Sequence, residues 1–335
     1  MLQIVSTIFL FKEHWLLLIL EITTVMSSLA VAATAAKTIK EICRKPPQHW
    51  VGDGFHVIPV LANKAFTNDV SPFLMFDYAA PKEFKPTTKR LGVGMHPHRG
   101  FETVTLALQG EVEHHDSEGN RGVIGAGDVQ WMTAARGIVH EEFHSREFAK
   151  TGGTFEMCQL WVNLPAAKKM IKPAYQEIKN EQIPVKSLVS HSCAAQGQLT
   201  ESDGNVRIIS GEYEGVRGPA ITHSPVNLWD VKINNTERTY DFEIADGHTT
   251  LIFVRRGKID IIAAKNAELN INDVAIMSLD GTRVTLRAKD PNTQLLFLSG
   301  EPLNEPIAAQ GPFVMNTRAE LQQAMYDYQA GQNGF

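Results

Sequence analysis

The chain has 335 residues, of which 43% are hydrophobic and 21% charged, and its formal net charge is -5. This length allows two domains, and the composition is that of an ordinary soluble globular protein. The negative charge argues against direct binding to nucleic acid. Cys43, Cys158 and Cys193 are widely spaced and form no Cys-x-x-Cys pair. This pattern argues against a disulfide framework and favours a reducing compartment.

The N-terminal extension, residues 1–44, has three interpretations. Trp15 to Ala36 is mostly apolar, as in a signal peptide or membrane anchor, but the start carries no net positive charge and Glu21 interrupts the run. Alternatively, translation begins at Met26 and the preceding residues are an upstream artefact. The third interpretation is a structured N-terminal helix. We expect a cytoplasmic protein, or an exported or anchored one if residues 1–36 are a true signal.

The rest of the chain predicts two all-β units. Short runs rich in β-branched residues alternate with glycine turns over residues 45–165, which favours an antiparallel barrel or sandwich. A connector with two prolines spans residues 166–190, and the strand pattern returns over residues 191–312. Residues 313–335 predict a C-terminal helix, because they contain a capping box and apolar residues at intervals of three and four.

Two pairs of metal donors stand out in the first unit. His96 and His98 are separated by one residue, and so are His140 and Glu142. Residues i and i+2 of a strand point to the same face, so each pair projects together. If both strands belong to one barrel, three imidazoles and a carboxylate converge. Such a mixed shell is typical of non-heme iron chemistry, although imidazole also suits zinc, copper and nickel. The alternative is four polar side chains that line a barrel mouth without a metal.

Other polar residues have simpler interpretations. His114 and His115 follow the end of a predicted strand, and we expect them to be exposed turn residues. Lys168 and Lys169 predict a solvated basic patch in the connector. His248, in the second unit, has no partner histidine at ligand spacing, so we expect the second barrel to be metal-free and structural.

Several motifs resemble known families. Gly94 to Gly110 is similar to the first cupin motif, and Gly127 to His140 resembles the second, although Ala135 replaces the usual proline. More specific segments resemble the pirin family: His96-Pro97-His98-Arg99-Gly100-Phe101-Glu102-Thr103-Val104, Gln130-Trp131-Met132-Thr133-Ala134, Gln159-Leu160-Trp161-Val162-Asn163-Leu164 and Gly311-Pro312-Phe313-Val314-Met315-Asn316-Thr317.

This resemblance implies a bicupin fold: two antiparallel double-stranded β-helix (jelly-roll) barrels with a C-terminal α-helix. It implies one mononuclear metal in the N-terminal barrel, expected to be Fe2+, with copper, nickel, manganese and zinc as alternatives. The implied ligands are His96, His98, His140 and Glu142. Glu102 is expected to lie outside the ligand set and to orient a ligand imidazole.

The resemblance also implies two functions. Some bacterial pirins resemble quercetinases, which insert dioxygen into a flavonol, and Glu142 would then act as the catalytic base. The partners would be a small aromatic, flavonol-like substrate and dioxygen. The alternative is an iron-dependent, redox-sensing regulatory protein that acts through protein partners. We expect a monomer that contacts neither nucleic acid directly nor, unless the N-terminal segment is a true signal, a membrane.

Overall fold

The structure, a computed structural model, describes residues 35–188, 203–263 and 265–335. The three interpretations of the N-terminal segment fall largely on residues 1–34, which lie outside the described residues. None of the helices in the described ranges combines the length and the apolar character that crossing a bilayer would need.

Strands dominate the described chain. The first half contains β1 Ile39–Cys43, β2 His49–Val51, β3 Phe55–Pro59, β4 Phe73–Phe84, β5 Gly92–His98, β6 Phe101–Gln109, β7 Val112–Asp116, β8 Arg121–Ile124, β9 Val129–Thr133, β10 Ile138–His144, helix α1 Arg146–Thr151, β11 Gly153–Asn163, β12 Ala174–Ile178 and β13 Val185–Ser187. The second half contains β14 Gly204–Ser210, β15 Glu212–Tyr213, β16 Val216–Arg217, β17 Val226–Ile233, β18 Tyr240–Glu243, β19 Thr249–Arg256, β20 Ile259–Ile262, β21 Ala267–Leu269, β22 Val274–Met277, β23 Arg283–Ala288, β24 Thr293–Gly300, β25 Ala308–Gln310, β26 Phe313–Met315 and helix α2 Arg318–Ala330.

These strands form two similar units. In the N-terminal unit a seven-stranded sheet, in the order β12-β9-β6-β11-β4-β3-β2, accompanies a four-stranded sheet in the order β5-β10-β7-β8. In the C-terminal unit the corresponding orders are β1-β22-β19-β24-β17-β14-β13 and β18-β23-β20-β21. The pairings within these four sheets are antiparallel. The predicted all-β fold with two antiparallel barrels is therefore confirmed.

The chain ends cross between the two units. Strand β1, which falls in the predicted N-terminal extension, pairs with β22 and forms an edge of the C-terminal sheet. The predicted connector likewise contributes strands, because β12 pairs with β9 of the first unit and β13 with β14 of the second. Edge strands of three to five residues carry little periodicity of their own, so their pairing depends on neighbours distant in sequence.

The two seven-stranded sheets pack face to face. One apolar cluster contains buried residues of both units, and Phe253 of β19 lies 5.0 Å between ring centroids from both Phe76 and Tyr78 of β4. Because these sheets are covered on both faces, their central strands are almost continuously buried, as in β6 and β19. A buried ion pair crosses the same interface, from Arg255 Nη1 to Glu156 Oε1 at 2.8 Å.

The C-terminal segment returns to the N-terminal barrel. Helix α2 confirms the predicted capping box, in which Thr317 accepts from the Glu320 backbone, and Gly331 ends the helix in the left-handed conformation. Arg99, directly after His98, donates to Asp327 of α2 over 2.7 Å, and both side chains are 1% exposed. The Arg99 guanidinium also lies 4.6 Å from the centre of the Phe335 ring.

Lys169 contributes to the same junction, and the prediction of a solvated patch is wrong for it. Its ammonium donates to the carbonyl oxygens of Gly100 and Val314 and to the side-chain oxygen of Asn163, at 2.7, 3.1 and 2.6 Å. Burial lowers the pKa of Lys169 to about 7. Lys168 is exposed, as expected. Lys168 is the last residue of the short 3-10 turn Ala166–Lys168, and Lys169 is the residue that caps it.

Candidate metal centre

Strands β5 and β10 bring the two predicted donor pairs together. They pair antiparallel, with His140 opposite His96 and Ile138 opposite His98. The centre of the His96 ring lies 4.8 Å from that of His98 and 4.3 Å from that of His140, and the His98 and His140 centres are 4.9 Å apart. One ligand atom from each of these three residues lies within 4.8 Å of the others. Three imidazoles therefore converge at one point.

Each of the three imidazoles has one nitrogen bonded to protein. Nδ1 of His96 lies 2.8 Å from the Gly94 carbonyl oxygen, the His98 ring is hydrogen-bonded to the Pro312 carbonyl, and Nδ1 of His140 lies 3.4 Å from Nδ1 of His114. In contrast, His98 Nδ1 and His140 Nε2 are buried without a hydrogen-bond partner. Buried polar atoms are normally hydrogen-bonded. Two unpaired ring nitrogens, in imidazoles that both lie beside the His96 ring, therefore fit a bound metal ion.

The protonation state also fits metal binding. Burial holds the pKa of His98 and His140 well below the ordinary value of 6.5, and the neighbouring imidazoles lower both further. Both rings are therefore neutral at pH 7. A histidine must be neutral to donate a lone pair to a metal, so no proton has to be displaced first.

Glu142 occupies a different position from the three histidines. Strand parity puts His140 and Glu142 on the inner face of β10 and Glu141 on the outer face, as predicted. A bulge in β5 between Val93 and His96 shifts the register at this point. The nearest donor group that includes Glu142 consists of His114, His140 and Glu142.

Three neutral groups hold the Glu142 carboxylate. Gln159 donates to one carboxylate oxygen over 2.7 Å, and Thr105 and Gln130 each donate to the other over 3.2 Å. The carboxylate is 4% exposed and lies on the inner wall of the barrel. These three polar partners were not predicted from the sequence, because they come from three different strands and meet only in the folded barrel.

The prediction that His114 is exposed is wrong. His114 lies in β7, has no exposed surface, stacks on Tyr175 at 4.9 Å and faces His140. His115, on the opposite face of the strand, is 39% exposed. The signal was present in the spacing, since His114 and Asp116 are also i and i+2 of one strand.

The expected role of Glu102 is also not observed. Glu102 alternates with Thr103 and Thr105 along β6, so it shares its face with Val104, which packs in the apolar cluster between the two units. Its carboxylate accepts from Thr133 over 2.7 Å and lies 3.9 Å from Nε2 of His223, a residue of the second unit. The side chain therefore points out of the barrel, away from the three imidazoles.

This position makes Glu102 a source of pH dependence. Burial raises its pKa from 4.5 to about 7, so the folded state binds a proton that the unfolded state has lost. The contribution of Glu102 to the stability of the folded state therefore falls as the pH rises from about 4.5 to about 7. We expect Glu102→Gln to be more stable than wild type at pH 8 by up to about 3 kcal/mol, with little difference at pH 4.5.

Urea unfolding at the two pH values measures this difference. The matched control is Glu181→Gln, at an exposed position, which should show the same small change at both. A Glu102→Gln variant whose stability relative to wild type does not change with pH would contradict the buried ionisation.

Aromatic side chains form one wall beside the imidazoles. The Trp161 ring stacks on Phe101 at 4.2 Å between centroids, and the Trp161 and His98 centroids are 5.0 Å apart. Met95, next to His96, is 51% exposed. The approach to the three histidines is therefore flanked by apolar, polarizable surface. In the second unit His248 contacts Ser299 instead, with 3.5 Å between Nδ1 and Oγ.

Two cupin-type barrels, with a cluster of histidines inside the first, define a bicupin with a candidate metal centre. Sequence comparison assigns each barrel. The family model described as Pirin matches residues 54–162, and the model described as Pirin C-terminal cupin domain matches residues 228–334. The chain belongs to the pirin family.

Individual relatives cover most of the chain. A Pseudomonas aeruginosa protein named "Putative quercetin 2,3-dioxygenase PA2418" is 47% identical over 284 residues, which span 85% of this chain and 94% of that protein. Pirin of Homo sapiens is 37% identical over 272 residues, with 80% and 84% covered. A crystal structure of quercetin 2,3-dioxygenase from Acinetobacter baumannii superposes with a TM-score of 0.81 at 46% identity, covering 89% of this chain and 98% of that one.

Proposed function

We propose that the chain is a metal-dependent dioxygenase of the quercetin 2,3-dioxygenase type, with iron(II) as the expected metal. The observation that carries the proposal is the convergence of His96, His98 and His140, with two buried nitrogens left without partners. The similarity to proteins named quercetin 2,3-dioxygenase supports the reaction type. Copper, nickel, manganese and zinc remain alternatives, because each accepts imidazole ligands or a mixed imidazole-carboxylate shell.

The three histidines and Glu142 are the proposed ligand set. A bound iron(II) ion would supply Lewis acidity toward the enolate-like oxygen of a flavonol and the redox chemistry that dioxygen requires. The His98 and His140 rings are already neutral, and the Gly94 carbonyl fixes the His96 ring. The three imidazoles are therefore ready to bind a metal ion. Glu142 would complete the set, and the hydrogen bonds that its carboxylate accepts come from neutral donors.

Glu142 is also the proposed catalytic base. Its carboxylate is buried next to His140 and accepts hydrogen bonds from three neutral groups, so it is available to accept the proton of a substrate hydroxyl. Gln130 and Gln159 hold it in place, and the partly exposed ring of Trp161, which packs on the buried Phe101, would contact the flat rings of a flavonol. A positioned carboxylate base contributes about a hundredfold or more to such a proton transfer.

The test is whether the iron-loaded protein consumes quercetin in air, measured as the loss of the visible absorbance of quercetin. We expect turnover by wild type and its abolition in Glu142→Ala. The control is Glu141→Ala, at the adjacent outward-facing position that pairs with Arg90 at 3.3 Å. Unchanged quercetin absorbance with the iron-loaded wild type would contradict the proposed reaction.

A regulatory function is the second candidate, and one contact favours it. Arg99 follows His98 directly and is bonded to Asp327 of the surface helix α2, so a change at His98 has a short route to the outside of the protein. This function requires an iron site without flavonol turnover and different protein partners for the ferrous and ferric forms. Identical partners in both forms would contradict it.

The expected location is the cytoplasm, and the expected oligomeric state is a monomer. The buried, free thiols of Cys43 and Cys158 are consistent with a reducing compartment.

A further inference from the structure

Two polar residues of β7 lie behind the metal centre and have no part in the ligand set proposed above. His114 and Asp116 are 0% and 1% exposed, and both point to the inner face of the strand. Strand β7 pairs with β10, so His114 lies beside His140. A buried histidine and a buried carboxylate at this place require an explanation in terms of their hydrogen bonds.

A chain of hydrogen bonds runs from Asp116 to the candidate ligand His140. Asp116 Oδ2 lies 3.1 Å from Nε2 of His114, and Nδ1 of His114 lies 3.4 Å from Nδ1 of His140. Asn120 fixes the carboxylate, because its side-chain amide donates to both oxygens, at 3.1 and 2.9 Å. The chain therefore begins at a rigid acceptor.

These contacts determine where the protons are. A carboxylate only accepts, so Nε2 of His114 carries a proton, and Nδ1, which faces the amide nitrogen of Gln130, has a lone pair. That lone pair can accept from His140 only if the proton of His140 is on Nδ1. Nε2 of His140 is then left with a lone pair, and it is the nitrogen that has no partner in the barrel.

Gln130 independently supports the assignment for His114. Its amide nitrogen lies 3.2 Å from Nδ1 of His114 and 3.2 Å from a carboxylate oxygen of Glu142, while its amide oxygen accepts from the Tyr175 hydroxyl at 3.4 Å. Because an amide nitrogen only donates, Nδ1 of His114 must be an acceptor.

We infer that Asp116 and His114 are positioning residues that lock His140 in the tautomer with its proton on Nδ1, so that Nε2 is presented to the metal. This inference rests on the proposed metal site but not on the proposed reaction. The partner of a ligand imidazole fixes its orientation and raises its basicity, and removing it typically lowers metal affinity about 10- to 100-fold.

His114 could instead be a ligand itself, since it forms a donor group with His140 and Glu142. Its hydrogen bonds argue for the positioning role. Both of its ring nitrogens have protein partners, Asp116 on Nε2 and Gln130 with His140 on Nδ1. Of the two rings, only His140 has a nitrogen left without a partner.

The first test is nuclear magnetic resonance of the full-length, metal-free protein with 15N-labelled histidine. We expect the proton of His140 on Nδ1 and that of His114 on Nε2. A His140 ring protonated on Nε2 would overturn the inference. Addition of Zn2+ should shift the Nε2 resonance of His140 and leave both nitrogens of His114 uncoordinated. Coordination of His114 would also overturn it.

The second test measures Zn2+ affinity by competition with a chromophoric chelator in two His114 variants. His114→Phe keeps a ring of similar size but removes the acceptor, so affinity should fall about 10- to 100-fold. His114→Asn is smaller but can place an amide oxygen near the former Nδ1, so it should recover most of the affinity. His115→Phe, on the outer face, is the matched control and should bind like wild type.

A residue that only filled space would give the reverse order, because phenylalanine fills the site better than asparagine. That order, or a His114→Phe variant with wild-type affinity, would contradict the inference. A wild-type protein that binds no divalent metal would instead overturn the proposed metal site, and the metal-free spectra would still decide the tautomer. Metal binding without flavonol turnover would overturn the proposed reaction and leave the inference standing.

Discussion

Replacing His140 by alanine is expected to lower the affinity for a divalent metal by more than about a hundredfold. His140 is the one residue common to both donor groups, and its Nε2 is buried without a partner. Loss of a ligand should exceed the 10- to 100-fold effect that follows when only the partner of a ligand is removed. Flavonol turnover should be lost with the metal.

Competition with a chelator for Fe2+ under anaerobic conditions, and for Zn2+ in air, measures this effect. His115→Ala is the control, because His115 lies on the outer face of the neighbouring strand and should leave the affinity unchanged. The far-ultraviolet circular dichroism of both variants should match that of wild type. A His140→Ala variant that retains wild-type affinity would show that the metal binds elsewhere.

Asp327→Ala is expected to destabilise the folded protein by about 3–5 kcal/mol. The substitution leaves the Arg99 guanidinium buried without its carboxylate partner, and breaking one half of a buried pair has an effect of this size. Chemical denaturation measures the loss, and limited proteolysis should cut near α2 sooner than in wild type. Gln322→Ala, at an exposed position of the same helix, should change stability by less than about 0.5 kcal/mol.

The double variant Arg99→Met with Asp327→Leu separates charge from packing. Apolar replacement of both partners of a buried pair is often neutral or stabilising, so it should recover most of the lost stability. If the double variant is as unstable as Asp327→Ala, the helix depends on the ionic contact itself. If Asp327→Ala is as stable as wild type, the expected role of this pair is wrong.

The histidine cluster followed from the sequence because strand parity is local. Alternation decides that His96 and His98 face the same way, and the antiparallel pairing of β5 with β10 then needs only one further step. The same rule correctly puts Glu141 on the outer face and Glu142 on the inner one. The C-terminal helix was equally accessible, because Thr317, Glu320 and Gly331 mark its ends.

Other features were out of reach because they depend on contacts distant in sequence. The bulge in β5 displaces Glu142 relative to His96, and no pattern in the sequence predicts this bulge. Glu102 has the right spacing for an inward-facing residue of a cupin motif, but its face is decided by the packing of the second unit. Lys169 resembles a surface lysine in the sequence, because the carbonyl oxygens of Gly100 and Val314 that bind its ammonium are distant along the chain.

The crossing of the chain ends has a consequence for biosynthesis. A growing chain emerges N-terminus first, and domains generally fold as units in that order. The first barrel contains Arg99, whose carboxylate partner Asp327 lies 228 residues further along the chain. Strand β1 likewise has no partner in its sheet until β22 has been synthesised. The first barrel cannot make all of its native contacts until helix α2 has been synthesised, so the Arg99–Asp327 contact forms late in biosynthesis.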